Sequence, residues 1–354
     1  MTNLHIPSKN DILDFAIVGA GIAGLTLANR LSSLGYRLAV FEKARGTGGR
    51  LSSKRAINGQ QQAMAFDLGC TSFSGKSEEF QKQLDQWHLR GVIEPWLENK
   101  QGGTEYVATP RNSGLTRHLS KEVSCHYSTK IDSIEKCEDV WKLTYSNNDC
   151  DGRTDVFAKH IVLAIPSAQA YDLLPQQPAL MNQMRDKINN VTLNPQWVLG
   201  LEITNDISQL SNLSFPKNDV IHSISIETSK PSREHPRGSQ VLQIQATTQW
   251  SHDHIDAEKQ KIESDMVKAL EEILNQPVKS TNRYVHRWLY STVKNGISNI
   301  NSNYISESGL SVIGDYFSNE HFGIEASWHS AIALVEKLTE ANKIQNSDRV
   351  VSNV

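Results

Sequence analysis

Cysteine is scarce in this 354-residue chain, and the four present, Cys70, Cys125, Cys137 and Cys150, form no Cys-x-x-Cys pair. That pattern speaks against a disulfide framework or a zinc knuckle and fits reduced thiols in a cytoplasmic protein. Long apolar runs are missing too, since nothing approaches the ~18 consecutive apolar residues of a membrane helix. The opening MTNLHIPSKNDILD has no cationic stretch followed by an apolar one, so no secretory signal is expected. Nor is there an excess of basic charge: 36 Lys and Arg against 39 Asp and Glu give a formal charge of −3. Such a balance offers no field for nucleic acid or for an anionic membrane surface. Repeats and low-complexity tracts are lacking. With 38% hydrophobic and 21% charged residues the composition is that of a globular protein, long enough for two lobes at roughly 150 residues each. A small-molecule ligand fits these exclusions, whereas the oligomeric state does not follow from them.

What is present is concentrated first in residues 14–43, DFAIVGAGIAGLTLANRLSSLGYRLAVFEK. Phe15 to Val18 is a short apolar run, Leu25, Ala28 and Leu31 recur at helical spacing, and Leu38 to Phe41 is a second apolar run. This reads as one βαβ unit. Between strand and helix lies Gly19-Ala20-Gly21-Ile22-Ala23-Gly24, a GxGxxG. Gly19 permits the tight turn, Gly21 lets backbone approach a pyrophosphate, and Gly24 lets helix and strand pack closely, while the helix N-terminus offers free N–H groups to negative charge. Glu42 closes the next strand, about 20 residues on, where an acid accepts hydrogen bonds from ribose hydroxyls and repels a 2′-phosphate. Together these features identify a dinucleotide site for NAD or FAD.

The residues after Glu42 favour the longer ligand. Arg45-Gly46-Thr47-Gly48-Gly49-Arg50 is a second glycine loop close behind the first, as expected where a riboflavin moiety extends beyond the pyrophosphate, with Arg50 able to meet phosphate charge. Near the C-terminus GLSVIGDYF reads as a strand ending in Gly314-Asp315, and residues 323–338 read as a helix. Asp315 there suits a ribityl hydroxyl, and a helix N-terminus suits the anion of a reduced flavin.

These segments resemble the flavoprotein superfamily with glutathione-reductase-type FAD binding that includes the amine oxidases. More narrowly the chain resembles the bacterial renalase-like proteins, through GTGGRLSSKR (46–55), FDLGCTSFS (66–74), ATPRNSGLTRHL (108–119), VLAIPSAQAYDLL (162–174), ATTQWSHDHID (246–256), HRWLYS (286–291) and the GDYF…GIEASWHSAIAL ending, so that the likeness spans about residues 14–340. The resemblance implies an α/β Rossmann-type, glutathione-reductase-like FAD-binding domain built from 1–76, 109–170 and 281–354. A second, mixed antiparallel-sheet plus helix substrate domain would comprise 77–108 and 171–280. It implies FAD held without a covalent bond by Gly19, Ala20, Gly21, Ile22, Ala23, Gly24, Glu42, Lys43, Gly49, Arg50, Leu51, Asp67, Leu68, Gly69, Ile131, Asp315, Gly323, Ile324 and Glu325. The implied reaction takes hydride from 2- or 6-dihydronicotinamide isomers of NAD(P) to flavin N5, returning NAD(P)+ and reducing O2 to hydrogen peroxide. Such a reaction requires placement more than proton transfer, and no catalytic acid or base is assigned.

Two alternatives stay open, a flavin-dependent amine or other small-molecule oxidase or dehydrogenase and a flavin-bound interaction protein without turnover. Cys70 and Ser72 depart from the family, which more often has Ala-Gln-aromatic after the glycine, and this bears on substrate preference. Substrate-pocket candidates are Cys70, Ser72, Trp197, Trp250, Arg287 and Trp288, each with core packing or solvent exposure as its competing role. His252 and His254 with Asp253 read as the exposed beginning and cap of an amphipathic helix over 251–274 and not as a metal cluster. No metal ligand set is assigned. No cysteine follows Cys150, so a C-terminal thioether to FAD is not expected.

Overall fold

The computed structural model describes residues 12–57, 63–147, 153–175, 179–233, 238–297, 309–318 and 320–351. Cys150 lies outside them. The chain divides into two compact units. The first comprises Met1–Gly49, Thr116–Thr192 and Asn295–Val354, and the second Arg50–Leu115 and Leu193–Lys294. The expected cofactor domain had instead included 50–76, 109–115 and 281–294, and the expected substrate domain 171–192. Residues 281–294 differ because they belong to one long strand of the second unit's sheet, and 50–76 because Asp67 and its loop are bonded within that unit.

In the first unit, β1 (Leu13–Val18) leads through the glycine turn into α1 (Ile22–Ser33) and β2 (Leu38–Phe41), the βαβ unit that the sequence predicts. β1, apolar but for Asp14, and the wholly apolar β2 run parallel in a seven-stranded sheet. Numbering the remaining strands in chain order, that sheet also holds β7 (Cys125–His126), β8 (Thr129–Cys137), β9 (Val140–Asn147), β10 (Arg153–Leu163) and β16 (Leu310–Val312). Its order is β7-β2-β1-β10-β9-β8, with β16 added beside β10. β10 forks, because its first half pairs antiparallel with β9 while Ile161–Leu163 pair parallel with β16. The apolar strand that the sequence places in HIVLAIPSAQA, 160–170, and ends at Pro166, which cannot donate, pairs as far as Leu163, and Pro166 caps α4 (Ser167–Leu173). α5 (Ala179–Asn189) follows, and α8 (Gly323–Val351) packs against α1 and runs past the expected end at 338.

In the second unit, β11 (Thr192–Ile203), β12 (Leu213–Ser214), β13 (Ile221–Ile226), β14 (Gln240–Ala246) and β15 (Ser280–Asn295) form a sheet in the order β12-β13-β14-β11-β15. Hairpins β3 (Ser53–Ile57) with β4 (Ala63–Asp67) and β5 (Ile93–Glu98) with β6 (Thr104–Ala108) accompany it, as does α2 (Glu78–Leu89). α3 (Ser113–Leu119) carries the chain back to the first unit. The helix expected over 251–274 is two, α6 (Thr248–Asp253) and α7 (Lys259–Leu274). Thr247 caps α6 through a bond from Trp250 N, and SHDHID therefore ends a helix and does not open one. The apolar face of α7, with Ile262, Met266, Ala269, Leu270 and Leu274, covers the sheet core as its period predicts. Phe66 stands where Gly200 has no side chain, since a Cβ there would come within 2.2 Å of the ring. No helix among the described residues is long and apolar enough to cross a membrane.

Candidate functional site

The glycine turn of the first unit is built as its spacing requires. Gly19 has φ +106°, and a Cβ there would lie 2.5 Å from the Ala164 carbonyl oxygen. A Cβ on Gly24 would lie 2.1 Å from Gly19 O, so these two glycines serve the protein's own packing. Gly21 differs: its Cβ position meets nothing within 4 Å, and α1 begins there with no side-chain cap and no acid in the first turn. Ala20, Ile22 and Ala23 are buried around it. The second glycine loop lies alongside, with Gly48 N donating to Ala20 O at 3.1 Å and a Cβ on Gly49 placed 3.6 Å from Gly21 Cα.

The cradle carries two polar groups suited to a dinucleotide. Thr47 Oγ1 is shielded from solvent and has no hydrogen-bond partner among the described residues, which a phosphate oxygen would supply. Glu42 is buried, and its carboxylate accepts from Ala20 N at 2.9 Å and Ala44 N at 2.8 Å. Those bonds take half of the about four acceptor positions of a carboxylate, leaving capacity for ribose hydroxyls. Open space, an uncapped helix start, an orphaned hydroxyl and a held acid fit the ADP portion of FAD. Lys43, by contrast, is exposed and donates to Gln169 at 3.1 Å.

The remaining first-unit candidates lie on its other strands. Ile131 is buried in β8 opposite Tyr145. Asp315 is buried in a short 3-10 turn after β16, where Gly314 N donates to Ser330 Oγ at 3.0 Å. Gly323, with φ +58°, opens α8, and Ile324 and Glu325 are buried in its first turn.

Arg50, Leu51, Asp67, Leu68 and Gly69 belong to the second unit. Arg50 Nη1 donates to Ser291 O at 2.9 Å, and Leu51 is buried. Asp67 is engaged otherwise than the sequence suggests. Its Oδ1 accepts from Ser53 Oγ at 2.7 Å and Asn112 N at 2.9 Å, and its Oδ2 from Lys230 Nζ at 3.1 Å and Arg233 Nη2 at 2.8 Å. All of its roughly four acceptor positions are taken, so its carboxylate has none left for a cofactor hydroxyl. Burial pushes the Asp67 carboxyl upward, but the charges of Lys230 and Arg233 outweigh it and hold the group below the usual range. Glu227, which also pairs with Lys230, is raised by burial.

What Asp67 anchors is the loop after it. Every carbonyl from Asp67 to Thr71 accepts from a side chain: Asp67 O from Gln243, Leu68 O from Trp288 Nε1 at 2.8 Å, Gly69 O from Gln243 and Gln245, and Cys70 O and Thr71 O from Asn112. Gly69 must be glycine, since a Cβ would lie 2.3 Å from Arg50 O. Cys70 Sγ bonds Ser72 O at 3.1 Å, and Ser72 Oγ bonds Glu105 at 2.8 Å. Burial pushes the Cys70 thiol up to about 12, so it stays protonated at neutral pH. Cys70 and Ser72 therefore belong to one clamped loop, which Trp288 holds from β15. Trp197, Trp250 and Arg287 gather elsewhere in this unit. Trp197 is core and donates to His254 O at 3.0 Å, Trp250 stacks on His254 at 4.4 Å, and exposed Arg287 caps Ile255 O at 2.6 Å.

Residues that sequence reasoning missed include Lys230, Arg233, Glu227, Asn112, Gln243 and Gln245. Gln243 and Gln245 carry a signal in retrospect, two polar residues at i, i+2 inside the apolar strand QVLQIQA. The charged partners carry none, because they come from distant loops.

Comparison with known proteins gives relationships consistent with this geometry. Residues 17–87 match the family described as NAD(P)-binding Rossmann-like domain. The chain is 22% identical to renalase of Mus musculus over 300 residues, covering 80% of this chain and 86% of that protein. An oxidoreductase from Methanosarcina mazei superposes with TM-score 0.64 at 13% identity, covering 91% of this chain and 99% of that one. A redesigned putrescine oxidase superposes with TM-score 0.58 at 12% identity, covering 93% and 99%. The chain is thus similar to renalase over most of its length and shares its fold with these oxidoreductases.

Proposed function

We propose that this oxidoreductase binds FAD without a covalent bond and oxidises 2- or 6-dihydronicotinamide isomers of NAD(P) to NAD(P)+, passing the electrons to O2 as hydrogen peroxide. The observation that carries the cofactor reading is the cradle of the first unit, where the open face of Gly21, the orphaned Thr47 Oγ1 and the half-occupied Glu42 carboxylate point to one pyrophosphate–ribose ligand. Substrate choice rests on the relationship to renalase over most of the chain. The flavin supplies the hydride acceptor. The protein supplies phosphate and ribose contacts at 19–24 and 42–49 that hold the cofactor in place.

The test is anaerobic mixing of the yellow protein with 2- and 6-dihydro-NAD(P), with ordinary 4-dihydro-NAD(P) and with a panel of amines, following flavin absorbance. Rapid bleaching by one of the first pair is expected, slower by ~100-fold with the ordinary isomer because its C4 is misplaced by more than an ångström. Admission of air should restore the colour and yield peroxide, and acid should release FAD intact. Fast bleaching by an amine with no response to the dihydronicotinamides would make the chain an amine oxidase. Colourless protein that takes up no FAD would overturn the cofactor reading.

A further inference from the structure

We propose that His321, Glu325 and His329 form a binding site for a divalent transition-metal ion of the Zn2+ type. Glu325 and His329 lie four apart on one face of α8, and His321 lies two residues before its first residue, Gly323. Their ligand atoms all lie within 4.8 Å of one another. His321 Nδ1 is 3.4 Å and His329 Nε2 3.8 Å from the same carboxylate oxygen, Glu325 Oε1. A tetrahedral ion with arms of about 2.0–2.1 Å holds its ligand atoms roughly 3.4 Å apart. One edge already has that length, and small rotations of the imidazoles close the others.

The second observation is His321 Nδ1 itself, which is shielded from solvent and makes no hydrogen bond among the described residues, although Glu325 Oε1 lies 3.4 Å away. A buried ring nitrogen without a hydrogen bond is costly, and its lone pair directed at a cation would remove the cost. The two imidazole rings stack, with centroids 4.6 Å apart and planes 22° from parallel. Two imidazoles and one carboxylate are the donors that select Zn2+, Co2+ or Ni2+ over Ca2+ and Mg2+, and three protein ligands leave a position for water. The N–H groups at a helix start disfavour a cation, and the carboxylate of Glu325 offsets them. Glu325 is also among the residues expected to hold FAD, but the metal titration reads ion binding and not flavin oxidation, so the two readings fail separately.

The full-length protein, stripped with a chelator and dialysed, would be titrated with Zn2+ against a chromogenic competitor, and with Co2+ while its visible bands are recorded. About one equivalent is expected, with cobalt bands of a nitrogen- and oxygen-bound ion. His321→Ala and His329→Ala should each weaken binding by about tenfold or more and abolish the bands. His252→Ala, at a histidine that is 74% exposed, should change neither. Circular dichroism reports whether each variant folds, and His→Gln replaces any alanine variant that does not. No stoichiometric binding by the stripped protein, or binding that survives both substitutions, would overturn the site.

Discussion

Gly48 donates its amide to the carbonyl of Ala20 at 3.1 Å, which ties the second glycine loop to the first. The two loops thereby form one cradle, in which Gly21 faces open space while Gly19 and Gly24 are committed to the protein's own backbone. The glycines therefore answer differently to substitution.

Gly21→Val should abolish flavin retention while leaving the fold intact. Gly21 has an extended backbone, and the added side chain meets no protein atom within 4 Å. The apoprotein should keep its stability within about 0.5 kcal/mol, as surface substitutions do. Gly24→Val should instead unfold the unit, because its Cβ would overlap Gly19 O. Thermal melts of the apoproteins, followed by flavin absorbance after reconstitution, separate the two outcomes; normal flavin binding by Gly21→Val would remove the pyrophosphate assignment.

Glu42→Ala should weaken FAD binding by about tenfold and spare the phosphate cradle, since a hydrogen bond to a charged group contributes about 1.5–3 kcal/mol. Equilibrium dialysis with free FAD measures this. Unchanged affinity would mean that Glu42 only braces Ala20 N and Ala44 N.

Lys230→Met should destabilise the second unit by about 3–5 kcal/mol, because it leaves Asp67 and Glu227 buried without their shared cation. Asp67→Asn combined with Lys230→Met should cost less than the sum of the single changes, as residues of one network do. Urea unfolding of the four proteins tests this, and strict additivity would deny the coupling.

Acid should destabilise the protein well above the carboxylate range. Burial lowers the His160 pKa to about 4, with Lys136 adding to the shift, while the unfolded value is near 6.5. The folded state thus favours the neutral ring. Its stability is complete above pH ~6.5 and falls as the pH drops toward 4, by about 3 kcal/mol. His286, lowered to about 4 by burial and then by Lys259 and Lys54, acts in the same direction. His160→Gln should flatten the dependence of Tm on pH between 6.5 and 4.5, and a profile identical to the parent would refute the assignment.

The βαβ unit, its glycine roles and Glu42 were legible in the chain because each depends on neighbours within a few tens of residues, through period, turn sterics and helix-end charge. The apolar face of α7 was legible for the same reason, whereas the break before it was not, because it depends on Ser251 being buried beneath Trp197 N at 3.2 Å. Asp67 shows the limit most sharply. Local sequence marks an acid beside a glycine in a cofactor-type segment, and only the return of Lys230 and Arg233 from more than 160 residues away turns it into a buried structural ion. The same holds for the 67–71 loop, whose carbonyls are bound by Asn112, Gln243, Gln245 and Trp288. Local sequence by itself thus determined the dinucleotide turn and the elements around it, since backbone sterics and hydrophobic period act over short range. Tertiary structure alone decided which polar groups remain free for a ligand, because hydrogen-bonding capacity is consumed by partners that only folding brings together.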